Sequence, residues 1–132
     1  MSAASDYLED KLLDHVLGGT TYTQPTTLYL ALFTASTGLE TNSPSAEVST
    51  SSTGYGRQTV TFAAASSGSA ATNATVTFTT ATANWGTVTH VAVMDASTGG
   101  NVLFHGAVTA SKTIETGDTF QVSSGNLTIS LA

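Results

Sequence analysis

Apolar positions in the first twenty residues recur every four: Leu8, Leu12 and Val16, with Leu13 and Leu17 beside them. That spacing draws one stripe along an α-helix, so residues 5–17 are read as the helix of this chain. Ser5 is its expected N-cap, because a serine hydroxyl accepts from the free amides of a first turn. Asp6, Glu9 and Asp10 lie near the positive end of the helix dipole, and Gly18-Gly19 ends the helix. About three and a half turns do not hold alone in water, so the helix must dock on its own domain or on a neighbouring subunit.

Beyond Pro25 the period changes from four to two. Residues 26–34 (TTLYLALFT) are apolar on both faces, as in a strand covered on both sides. Residues 59–62 and 75–79 alternate polar and apolar, and the low-complexity stretch AAASSGSAATNA between them reads as an exposed loop. Residues 85–94 and 102–108 form a hairpin around the turn cluster DASTGGN. One further strand is expected within 113–122, and a last one carries Leu127, Ile129 and Leu131. Residues 35–54 are polar and form a long surface loop, a length that usually carries function or finds order on a partner.

Short strands at close spacing behind one helix predict a mainly β fold. The expected architecture is an antiparallel β-sandwich, jelly-roll-like, with one short N-terminal helix. It forms a single domain over residues 1–132, with an N-terminal arm and helix at 1–19 and the long loop at 35–54. In the hairpin, Val88, Val91, Val93, Val102 and Phe104 are the expected core. Period two buries both Val88 and Val91 on one face only if a bulge intervenes. Trp85 is expected to cap one end of the core.

Composition then narrows the function. The chain has three Lys/Arg against nine Asp/Glu, a net charge of -6, and charged residues make up only 9%. So few cations cannot neutralise a row of phosphates, so no nucleic acid and no anionic membrane is expected as a partner. No apolar run approaches the length of a membrane span. Asp6, Glu9, Asp10 and Asp14 crowd the place where a secretory leader would need basic residues, so none is expected. There is no cysteine, which excludes disulfides and thiol chemistry.

Candidate chemistry is sparse. His15, His90 and His105 are far apart in sequence and are read as structural. Gly18-Gly19 and Gly99-Gly100 lack the lysine of a phosphate-binding loop. Glu115 and Asp118 fit a solvated turn better than an acid/base pair. The acids of the helix lack the loop spacing of a calcium site. The sequons at Asn73 and Asn126 are chance occurrences in a threonine-rich chain. No catalytic residue, cofactor or metal is expected. Arg57, the one arginine, stands beside Tyr55 in GYGRQTVTF; it either pairs with a carboxylate in bidentate fashion, anchors an interface, or lies on an edge strand in solvent.

Five segments in order resemble a family of small virion proteins of tailed bacteriophages. They are YLEDKLLDHVLGG (7–19), TQPTTLYLALFTA (23–35), GYGRQTVTF (54–62), WGTVTHVAVMDASTGGNVLFHGAV (85–108) and ETGDTFQVSSGNLTISL (115–131). The resemblance spans nearly the whole chain and implies a non-enzymatic structural protein, labelled within the family as tail-fibre-like, tail or head-decoration protein. The leading expectation is a capsid decoration or cement protein that bridges capsomers on the outer shell, made in the host cytoplasm. A tail or tail-fibre component is the alternative. A carbohydrate-binding β-sandwich, using Trp85 with Tyr55 or Tyr22, is the reading from another class. The expected partners are the major capsid protein or tail proteins, with homo-oligomers, trimers first, because closed symmetry is the norm. Candidate interaction residues are Tyr7, Leu8, Leu12, Val16, Glu40, Tyr55 and Arg57. The arm 1–7 and the loop 35–54 are expected to order on the partner.

Overall fold

The computed structural model describes residues 3–131. Met1 and Ser2, the first part of the expected arm, lie outside the described residues. Among the described residues nine strands and one α-helix, which runs on into a π-helical turn, follow in the order β1 (Ala3–Ala4), α1 (Asp6–Leu13), β2 (Leu28–Phe33), β3 (Gln58–Val60), β4 (Ser69–Ala71), β5 (Val76–Thr77), β6 (Gly86–Met94), β7 (Val102–Ile114), β8 (Gln121–Val122) and β9 (Thr128–Ser130). The main sheet has five antiparallel strands in the order β1-β7-β6-β2-β3. Two short ribbons, β4-β9 and β5-β8, form the second layer. The architecture is the antiparallel β-sandwich that the alternating pattern predicts.

The core follows from strand parity. On β2, Leu30 and Leu32 point to the second layer, where they join Val60, Val88, Val91, Val93, Val76, Phe78 and Phe120. Ala31 and Phe33 point the other way and pack with Ala92, Met94, Val102 and Leu39. So β2 is covered on both sides, as its unbroken apolar run requires. Val88 and Val91 do share one cluster, and the reason is a bulge. Val88 lies opposite Lys112 and His90 opposite Ala107, so two steps along β6 match five along β7. The ladder is interrupted between Val88 and His90, so strict alternation does not carry from Val88 to Val91. Trp85 caps the core, 5% exposed, and its indole N–H donates to the Thr53 carbonyl at 2.8 Å.

Four expectations are corrected. The loop 35–54 is not a free arm: Leu39 and Val48 are buried, Val48 N–H donates to Leu32 O at 3.0 Å, and Thr34 N–H donates to Ala46 O at 2.9 Å. Leu39 and Val48, its two large apolar residues, are anchors on opposite faces of the sheet, a role that its polar majority masks. The stretch 63–74 is not all loop, because Ser69–Ala71 pairs with β9. Residues 113–122 are not one strand; Thr113 and Ile114 end β7, a turn at Gly117 follows, and Gln121–Val122 starts again in the second layer. Phe104 is half-buried at the seam of two clusters rather than deep in the core.

Candidate interaction surface

Ser5 sets the end of the molecule at which the helix lies. Its hydroxyl donates to the Val102 carbonyl and accepts from Leu8 N–H at 3.3 Å, while its own N–H donates to Leu103 O at 2.9 Å. The N-cap thus fastens α1 across the start of β7, and Leu8 packs on Ala4 and Leu103. Tyr7 and Leu12 lie against the rim of that cluster, and the Lys11 ammonium stands 5.7 Å from the centre of the Tyr7 ring.

The stripe does not continue inward. After Leu13 the chain widens into a π-helical turn, Asp14–Gly18, closed by Gly19 at φ 75°. Leu13, Val16 and Leu17 are 57%, 72% and 78% exposed. The stripe runs past the edge of the sheet, so its first residue is covered by β7 and its last three face solvent. The turn is held in place, because Tyr22 N–H donates to His15 Nδ1 at 3.0 Å.

Glu40 joins this end of the molecule from the loop. Its carbonyl accepts from Asp6 N–H at 2.9 Å, and its carboxylate lies 2.9 Å from His105 Nε2. The carboxylates of Asp6, Glu9 and Glu40 offer oxygens within 4.8 Å of one another, and all three residues are exposed. They are the group among the described residues that could meet a hard cation, but exposed carboxylates are also satisfied by water. Glu40 is 65 residues from His105 along the chain, and it is the fold that brings the two together.

Tyr55 and Arg57 sit elsewhere and face inward. Arg57 Nε and one terminal nitrogen each reach Glu47 at 2.8 Å, a bidentate pair, and the other terminal nitrogen donates to Ala96 O and Gly99 O, both at 2.8 Å. The Arg57 side chain is only 5% exposed. Burial alone would raise the Glu47 carboxyl, but hydrogen bonds from Arg57 and Tyr55, with the charge of Arg57, hold it below the usual carboxylate range. Bonding to Glu47 raises the Arg57 guanidinium, and burial pushes the Tyr55 hydroxyl up. This node fixes the loop against the β6–β7 turn. The turn is itself closed by Asp95, which accepts from Asn101 N–H at 2.7 Å. Of the expectations for Arg57, the bidentate pair is the one realised; its partner, Glu47, is ten residues away in the loop.

The aromatic set proposed for a sugar is not available as a platform. Tyr55 and Trp85 are each 5% exposed inside the sandwich, where Tyr55 stacks on Phe78 and Trp85 meets both rings edge-on. A groove of about 600 Å³ opens between β7 and the second layer, lined by Val91, Phe104, Phe120, Gln121 and Asn126 among others.

The structure therefore brings Tyr7, Leu8, Leu12, Val16 and Glu40 to one end and places Tyr55 and Arg57 in an internal node. The protein-family model described as Gp80, podophage GP4 fiber I protein gp80, matches residues 3–130. No curated protein matches the chain.

Proposed function

The chain belongs to the family of the podophage GP4 fiber I protein gp80, a family of phage virion structural proteins, and on that premise we propose that it is a non-enzymatic component of a podophage tail or tail fibre. The observation that carries this reading is the reach of the match, residues 3–130, which takes in the sandwich and the helix together. The molecule suits such a role. Its loop is pinned by buried anchors and a bidentate ion pair, so it offers a firm surface rather than a mobile one. Of its three cations, Arg57 is used internally, so contacts with neighbours rest on hydroxyls, backbone groups and apolar anchors. Copies act together, in a homotrimer on our reading, so that modest contacts add through multivalency.

Counting copies in purified virions by quantitative mass spectrometry tests the placement. A small number, in ratio with known tail proteins, supports the tail. Hundreds of copies would instead favour decoration of the capsid, the leading expectation from the resemblance.

A further inference from the structure

We propose that the overhanging tip of the N-terminal helix, Leu13, Val16 and Leu17, is the plug by which this protein docks into an apolar socket rimmed with Lys or Arg on another virion protein. The inference rests on the virion reading above and adds the contact surface and the chemistry of the partner.

Isolated exposed leucines are ordinary. These three are not isolated: they extend the stripe that begins with buried Leu8 and half-buried Leu12, and they project together from one turn. The turn is held, since Tyr22 N–H bonds His15 Nδ1 and Thr20 N–H bonds Asp14 O at 3.1 Å. A held apolar tip keeps its surface in water rather than folding it away, which costs free energy that a socket would recover.

Charge selects the occupant. The helical segment carries Asp6, Glu9, Asp10 and Asp14 against Lys11, and Glu40 stands beside Asp6 and Glu9. A second copy seated on the same patch would bring acid against acid. This chain has no basic rim to answer it, because Lys11 lies by Tyr7, Arg57 is spent on Glu47, and Lys112 is beyond the β7 bulge. A foreign surface with basic residues around an apolar hollow meets both features at once.

Virions made without this protein, incubated with purified protein and then sedimented, read the contact directly. Leu17→Ser and Val16→Ser change exposed side chains, so both variants should keep the circular dichroism and urea midpoint of the wild type. Each is expected to lower incorporation by about tenfold, as loss of an interface anchor does. Asp10→Lys should also lower it and flatten its salt dependence, whereas Glu115→Lys, the same charge change at the other end of β7, should not. Equal incorporation of wild type, Leu17→Ser and Val16→Ser would overturn the plug while leaving the virion reading intact. Failure of the wild type itself to incorporate would overturn both. If the wild type self-associates in sedimentation equilibrium and Leu17→Ser abolishes that, the occupant is a second copy and the basic socket is refuted.

Discussion

The Tyr55 hydroxyl donates to Glu47 Oε2 at 2.7 Å and accepts from the Leu32 N–H at 3.0 Å. One atom thereby joins the long loop, the central strand β2 and the Arg57 node. Tyr55→Phe keeps the ring, which stacks on Phe78 and meets Trp85 edge-on, but leaves a buried N–H without its acceptor. The expected cost is about 1–3 kcal/mol, measured as a shift in urea midpoint at unchanged slope.

Glu47→Ala should cost more. It strips the partner from an arginine side chain that is only 5% exposed. Glu47 itself is 27% exposed, so breaking this partly buried pair from one side costs about 2–4 kcal/mol, below a fully buried pair and well above an exposed one. Equilibrium denaturation of Glu47→Ala beside Tyr55→Phe would rank the two.

Acid should weaken the same node. The Glu47 carboxyl is held below the usual range in the folded chain, so the unfolded chain takes up the proton first as pH falls. The stabilisation is complete above the unfolded value and is lost as pH drops through the folded one. Urea midpoints followed from neutral pH downward should decline through the acid range in the wild type and less steeply in Glu47→Gln.

How much of this was legible in advance can be argued from particular residues. Ser5 as cap, β2 as a doubly covered strand, Trp85 as core cap and the bulge between Val88 and Val91 all follow from local period and sterics, which act over a few residues. The partners Glu47 for Arg57 and Glu40 for His105 depend on how a polar loop crosses the sheet. No periodicity marks that crossing, and only Leu39 and Val48 hint at it. The outward turn of Val16 was hidden for another reason: helical spacing tells which residues share a face, not where the sheet beneath them ends.

Phe78 and Phe104 test the placement of the core. Phe78 is 1% exposed and contacts Tyr55, Trp85 and Phe120. Phe78→Ala should cost about 3–5 kcal/mol. Phe104 is half-buried, so Phe104→Ala should cost roughly half as much. Thermal denaturation of both variants checks the order, and equal losses would contradict it.

Gly38 sits at φ 77°, and a Cβ there would lie 1.9 Å from the Ser43 carbonyl oxygen. That oxygen belongs to backbone, so the loop must open to make room. Gly38→Ala should destabilise by roughly 1–3 kcal/mol, with faster hydrogen exchange at Ser43, whose N–H donates to Gly38 O.

Strand β1 and the Ser5 cap bond to residues near position 103, with Ala3 opposite His105 and Ala4 opposite Phe104. On the ribosome these first residues therefore wait for about a hundred more before their partners exist. The helix cannot take its seat on a nascent or truncated chain, because β7 is made late. Its exposed tip becomes a shaped feature only once the sheet beneath it is complete, so readiness to join a larger assembly is timed by synthesis itself.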